Sequence, residues 1–160
     1  MVNTGRVVAL DARQLAACFA LSSSAHWNQS EADWRLMLGI GRGWGVELAD
    51  GTLAASTLVL PYGDFAWVSM VLVLPTQRRQ GHATRLLRVA LDELAQRRLT
   101  PILDATPAGR TVYLQEGFHD TWGFRRFQLR KAVAGLQRTS DVRPLHRPAR
   151  PAGDPLGLAG

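Results

Sequence analysis

A chain of 160 residues, 46% of them hydrophobic, is long enough to bury a core in one domain and has the apolar share of a globular protein. No run approaches about 18 uninterrupted apolar residues, the start Met1–Arg6 lacks a basic region followed by an apolar stretch, and Cys18 is the only cysteine. These features exclude a membrane-spanning helix, a secretory signal, an internal disulfide and a cysteine-built metal site, so a cytoplasmic protein with no metal is expected.

Gly5–Leu10 reads as a short strand. Asp11 then offers an N-cap with Gln14 three residues on, a capping-box pattern, ahead of a helical stretch Leu15–Leu21 that Ser22-Ser23-Ser24 should end. Ser30 opens a second helix, with Glu31 and Asp33 in its first turn and Trp34, Met37 and Leu38 at helical spacing. Gly39, Gly41, Gly43 and Gly45 break it. Trp44–Ala49 and Thr52–Leu60 flank Asp50-Gly51, a pair suited to a two-residue hairpin turn. After the turn Pro61–Asp64, Phe65–Leu74 is the longest apolar run, as a central strand covered on both faces requires. Past a break at Pro75–Gly81, Ala83, Leu86, Leu87, Ala90, Leu91 and Leu94 mark an amphipathic helix. Thr100–Ala105 is a short strand, Ala108–Gln115 a short helix with Gly117 at its C′ position, and Phe118 to about Leu129 a final strand or strand pair. The order β α α β β β α β α β is an α/β arrangement over residues 1–130. Residues 131–160 turn rich in Pro, Arg and Gly, which predicts an extended or disordered tail.

The net charge of +6 is carried almost wholly by arginine, Lys131 being the only lysine. Half of the excess lies in the tail, and the rest is spread thinly except at Arg78, Arg79 and Arg85. Without a basic stripe with interleaved aromatics or a zinc-finger pattern, nucleic acid is disfavoured against an anionic small molecule. The dense cluster sits in Arg78-Arg79-Gln80-Gly81-His82-Ala83-Thr84, between a buried strand and a helix. A helix N-terminus offers unpaired N–H groups and the positive end of a dipole, and small residues at 81 and 83 let an anion approach the backbone. Arginine adds a fork that matches phosphate. A tight strand-to-helix turn would use Gly81 equally well. Neither the phosphate loop of NTPases nor the G-x-G-x-x-G dinucleotide fingerprint is present.

A strand at Val71–Leu74, then Arg78-x-x-Gly81-x-Ala83, then Leu86-Leu87 at the head of a helix resembles the central signature of the GNAT superfamily of acetyl-CoA-dependent acyltransferases. The phrase Tyr113-Leu114-Gln115-Glu116-Gly117-Phe118 resembles the same family's tyrosine before Gly-Phe. The resemblance covers about residues 5–130. It implies the GNAT fold, with a mixed sheet of six to seven strands and about four helices. It further implies a pantetheine arm paired to the backbone of Val71, Leu72 and Val73, and a pyrophosphate held at Arg78, Arg79, Gln80, Gly81, His82, Ala83 and Thr84. Tyr113, protonated at neutral pH with an ordinary pKa of about 10, would donate to the departing thiolate as the catalytic residue. Thr106 stands where many relatives have a cofactor-contacting asparagine. The implied function is acetyl transfer from acetyl-CoA to a primary amine of a small molecule or peptide by direct attack. A non-catalytic acyl-CoA sensor is the alternative, kept open because Phe65–Val71 contains none of the glutamate that many relatives use as a base.

His26, Asp104, His119 or an ordered water remain as candidate bases. His26, Trp27, Trp34, Trp44 and Trp67 could line an aromatic acceptor pocket, though core packing is the commoner use of tryptophan. Val142-Arg143-Pro144-Leu145 resembles the opening strand of a second GNAT domain. The tail is otherwise an exposed basic extension, or one that docks on a neighbouring subunit in a homodimer.

Overall fold

The computed structural model describes residues 5–125 and 127. In chain order these form β1 (Arg6–Leu10), α1 (Leu15–Ser24), α2 (Glu31–Ile40), β2 (Arg42–Glu47), β3 (Leu53–Tyr62), β4 (Phe65–Val73), α3 (His82–Gln96), β5 (Thr100–Ile102) and α4 (Pro107–Gln115). Short 3-10 turns lie at Ala12–Gln14 and Pro75–Gln77. One sheet takes the order β1-β2-β3-β4-β5, antiparallel through β4 and parallel between β4 and β5. The described residues up to Thr121 form one compact unit, and Trp122 opens a second. The expected tail at 131–160 lies outside the described residues. Among those described, no helix is long and apolar enough to cross a membrane.

Sequence signals and structure part company at specific places. Among the described residues the sheet has five strands, against six to seven expected: the final strand or strand pair expected from Phe118 to about Leu129 forms no ladder over Phe118–Arg125, and most of its remainder lies outside the described residues. The three serines do not end α1 at Leu21. Ser22 Oγ donates to the Phe19 carbonyl at 2.9 Å and Ser24 Oγ to that of Leu21 at 2.8 Å, so their hydroxyls fold back on the helix and it runs through Ser24. Gly39 is carried inside α2, and the break comes at Gly41.

The turn at Asp50-Gly51 is one residue longer than expected. Leu48 N–H donates to the Thr52 carbonyl and Gly51 N–H to that of Leu48, so Ala49, Asp50 and Gly51 form the loop, closed by Gly51 at φ +84. The two-residue turn is instead Gly63-Asp64, between the paired Tyr62 and Phe65, with Gly63 at φ +64. Both capping signals hold. Asp11 and Gln14 make a reciprocal box at the first 3-10 turn, and Ser30 and Asp33 make one on α2.

The sheet separates two apolar layers. On one side Leu10, Leu53, Leu58, Met70 and Leu72 pack with Cys18, Leu21 and Trp34 of α1 and α2. On the other, Val59, Ala66 and Val68 meet Leu87, Ala90 and Leu94 of α3. The strand buried along nearly its whole length is β3, whereas β4 alternates between buried and half-buried positions. Full burial of a leucine such as Leu86 or Leu87 contributes about 2 kcal/mol, so α3 is held firmly on the sheet.

Candidate active site

The segment before α3 is shaped by two left-handed residues, Arg79 at φ +62 and Gly81 at φ +79. Gly81 is the N-cap, and nothing lies within 4 Å of where its Cβ would stand. No side chain caps α3 there, and the first intrahelical bond is Arg85 N–H to the Gly81 carbonyl at 2.9 Å. The N–H groups of His82, Ala83 and Thr84 precede that bond and are left to an external acceptor. Arg78, Arg79 and Gln80 are exposed, whereas Ala83 and Thr84 are half-buried. The His82 side chain turns inward at 3% exposure with Nε2 unpartnered, so only its backbone N–H is available to an anion. Burial first, and the Arg85 guanidinium second, push its pKa below the usual histidine value.

Upstream, β4 is interrupted by a bulge. Ser56 pairs with Leu72 and Leu58 with Ser69, so Thr57 faces two residues, and Met70 takes φ +50 to absorb the extra one. Ser56 Oγ donates to the Met70 carbonyl at 2.8 Å and fixes the bulge from within. On its other edge β4 pairs with β5 only through Phe65, Ala66 and Trp67, the last opposite Ile102. Beyond that point the edge of β4 that includes Val71, Leu72 and Val73 has no strand beside it among the described residues. A parted edge exposes the N–H and C=O groups that an extended ligand can use. Nothing in the composition of β4 announces the bulge, since its left-handed position holds methionine rather than glycine.

Downstream, α4 positions Tyr113. Its chain leaves the helix through Gly117 at φ +90, with Phe118 N–H donating to the Tyr113 carbonyl at 3.1 Å and Gly117 N–H to that of Leu114 at 3.3 Å. This paired closure is a Schellman motif, and its usual apolar contact is here Phe118 edge-on to the Tyr113 ring, with centroids 6.0 Å apart. Both aromatics pack against the α3-side core. Burial raises the Tyr113 pKa, so the phenol is a proton donor across the neutral range. Thr106 is the N-cap of α4, its Oγ1 accepting from Gly109 N–H at 3.2 Å. That oxygen and the Tyr113 ring both lie within 3.5 Å of the place a Gly109 Cβ would occupy, so capping residue and phenol share one corner.

The remaining candidates are dispersed. His26, at φ +57, ends α1, with its own N–H bonded to Ser23 and that of Trp27 to Ser22, and it is exposed. Asp104 and His119 are also exposed, the former just beyond β5 and the latter just beyond Phe118. Trp34 is fully buried and donates to Ser22 Oγ at 2.9 Å, and Trp44 packs into the α3-side core. These two are structural. Trp27 is 37% exposed and Trp67 half-buried, so the five residues form no common pocket wall.

A mixed sheet whose fourth and fifth strands part, with an open helix N-terminus following the fourth, defines an α/β fold of the acyltransferase type. The family model for acetyltransferases (GNAT) matches residues 11–118, and the chain belongs to that family. Among solved structures, it is similar to a GNAT-family protein of Novosphingobium aromaticivorans (28% identity, TM-score 0.62, 71% of this chain and 51% of that one). It is also similar to the ribosomal-protein-S18-alanine N-acetyltransferase of Escherichia coli (22%, 0.67, 73% and 79%) and to an aminoglycoside N-acetyltransferase in complex with CoA (14%, 0.61, 79% and 95%). The chain thus spans about half the length of the Novosphingobium structure. No curated protein sequence matches it.

Proposed function

We propose that this protein is an N-acetyltransferase that moves an acetyl group from acetyl-CoA to a primary amine of a small molecule or peptide by direct attack. The observation that carries the reading is the β4 edge freed beyond Trp67 and Ile102, which runs toward an uncapped α3 N-terminus. Acetyl-CoA supplies the acyl group activated as a thioester. The residues present fit it: the space above Gly81 is open, and three N–H groups precede the first helical bond. Val71, Leu72 and Val73 offer backbone groups to the pantetheine arm. Arg78, Arg79 and Gln80, with the N–H groups of Gly81 to Thr84, hold the pyrophosphate, where helix dipole and guanidinium charge act together. Tyr113 keeps its proton until a thiolate needs it. Thr106, though its acceptor lone pair is engaged in capping, retains an O–H that can donate to the same ligand.

A sensor that binds acyl-CoA without turnover is favoured by one observation, the absence of any carboxylate on β4. Calorimetry with acetyl-CoA and thiol release across an amine panel separate the readings. Binding with turnover supports the transferase, and binding without turnover supports the sensor. Absence of binding would falsify both.

A further inference from the structure

α4 contributes no fully buried residue. Its half-buried positions Gly109, Val112 and Tyr113, with Glu116 just past its end, recur at helical spacing, so one face turns inward and carries the phenol. Tyr113 and Phe118 pack into the α3-side core. Arg110 pairs with Asp120, which lies on the chain that leaves α4, so that ion pair moves with the helix.

The link from this end of α4 to α3 is of another kind. Arg88 Nε donates to Glu116 Oε2 and Nη2 to Oε1, both at 2.8 Å, a side-on fork of two parallel bonds. Arg88 lies one helical turn beyond Thr84, whose N–H belongs to the set offered to the pyrophosphate. The Glu116 side chain is 12% exposed, and the N–H of the same residue donates to the Tyr113 carbonyl at 3.1 Å. A continuous run of hydrogen bonds therefore leads from the body of α3 to the backbone of Tyr113. The bonds to Arg88 also lower the Glu116 pKa, so the carboxylate is charged in any assay near neutrality.

An ion pair at a surface adds little to stability, so what this fork changes is geometry. A bound acetyl-CoA would place its pyrophosphate at the head of α3 and its thioester beside Tyr113, with one extended arm between them. A phenol gives its proton to a departing sulfur only within hydrogen-bond reach, so α4 has to keep its place against α3 while the arm is bound.

We propose that Arg88 and Glu116 are positioning residues for the transfer step, a clamp that fixes the Tyr113 end of α4 to the helix whose N-terminus takes the pyrophosphate. The inference rests on the acetyltransferase reading above, with Tyr113 as the proton donor. Neither residue touches the reacting atoms, and both act through the phenol.

The test uses the full chain, acetyl-CoA and three amines: a peptide with only its N-terminus free, a peptide with only a lysine free, and a polyamine. The fastest acceptor is carried forward. Arg88→Gln and Glu116→Gln should each lower kcat for thiol release about tenfold. The dissociation constant for acetyl-CoA, read by calorimetry, should stay within about twofold, and the melting temperature within about 2 °C. The double variant should lose no more than either single one, because the pair acts as a unit. On a Tyr113→Phe chain, adding Arg88→Gln should change kcat by less than about twofold, since the group being positioned is gone. Arg88→Lys keeps the charge and gives up the fork, so it should recover part of the lost kcat, and it replaces the glutamine variant if that one misfolds.

Unchanged kcat in Arg88→Gln, or an equal loss on the Tyr113→Phe chain, overturns this inference and leaves the transferase reading standing. Unchanged kcat in Tyr113→Phe itself removes the donor that the clamp would place, and overturns the inference as well. Thiol release from no amine, with acetyl-CoA bound, overturns both.

Discussion

At the scale of single residues, Tyr113 and His26 can be told apart by what each would lose. Tyr113 is a half-buried phenol whose raised pKa keeps the proton in place, so its hydroxyl is worth most when a thiolate departs. Tyr113→Phe should cut kcat by about 10²-fold while the dissociation constant for acetyl-CoA, read by calorimetry, stays within about twofold. Unchanged kcat would leave the residue a packing role against Phe118. His26 presents the opposite case. Its left-handed backbone closes α1, a position where glycine is more comfortable than any side chain. His26→Gly should therefore raise stability by several tenths of a kcal/mol to about 1 kcal/mol in urea unfolding. If His26 is no base, kcat is kept; a stable but inactive variant would identify it as the missing proton acceptor.

At the scale of elements, the end of α4 connects stability to chemistry. Gly117 has open space around it, so what an added methyl group must overcome is the backbone angle of φ +90 rather than a clash. Gly117→Ala should cost about 1 kcal/mol and lower the melting temperature by about 2–4 °C. Because the same turn sets Phe118 against Tyr113, kcat should fall with it at unchanged acetyl-CoA affinity. Kinetics and a melting curve on one preparation check both halves. This ending was legible in the sequence because a glycine marks it. The equivalent endings of α1 and α3, which use His26 and Arg98 at positive φ with the same pair of hydrogen bonds, were not. The Met70 bulge was hidden for a similar reason: a non-glycine left-handed residue leaves no trace in residue type, and only strand registration reveals it. By contrast the two capping boxes and the α3 stripe were readable, since each depends on contacts three or four residues apart. The parting of β4 from β5 is a long-range fact, and spacing along the chain carries no sign of it.

At the scale of the whole molecule, the response to acid should separate into two windows with different owners. Surface and half-buried carboxylates held by hydrogen bonds and arginines, such as Asp11, Asp33, Asp50, Glu116 and Asp120, have lowered pKa values. They favour the folded state above the ordinary carboxylate range, and that contribution is lost only as pH falls through about 4 and below. His82 acts earlier. Buried at the head of α3 beside Arg85, with Nε2 unpaired, it resists protonation in the folded chain more than in the unfolded one. The unfolded state then binds more protons, so stability rises with pH. The His82 contribution is complete above about pH 6.5 and is lost progressively as pH falls below it toward the depressed folded value. Melting temperatures taken from pH 8 down to 5 should therefore fall first in this upper window. His82→Phe fills the space without a titrating group and should flatten that part of the profile while leaving the carboxylate window in place. Since the histidine lies behind the N–H groups assigned to the pyrophosphate, saturating acetyl-CoA should raise the melting temperature of the unaltered chain throughout the upper window. A profile for His82→Phe as steep as that of the unaltered chain would place the acid-sensitive group elsewhere.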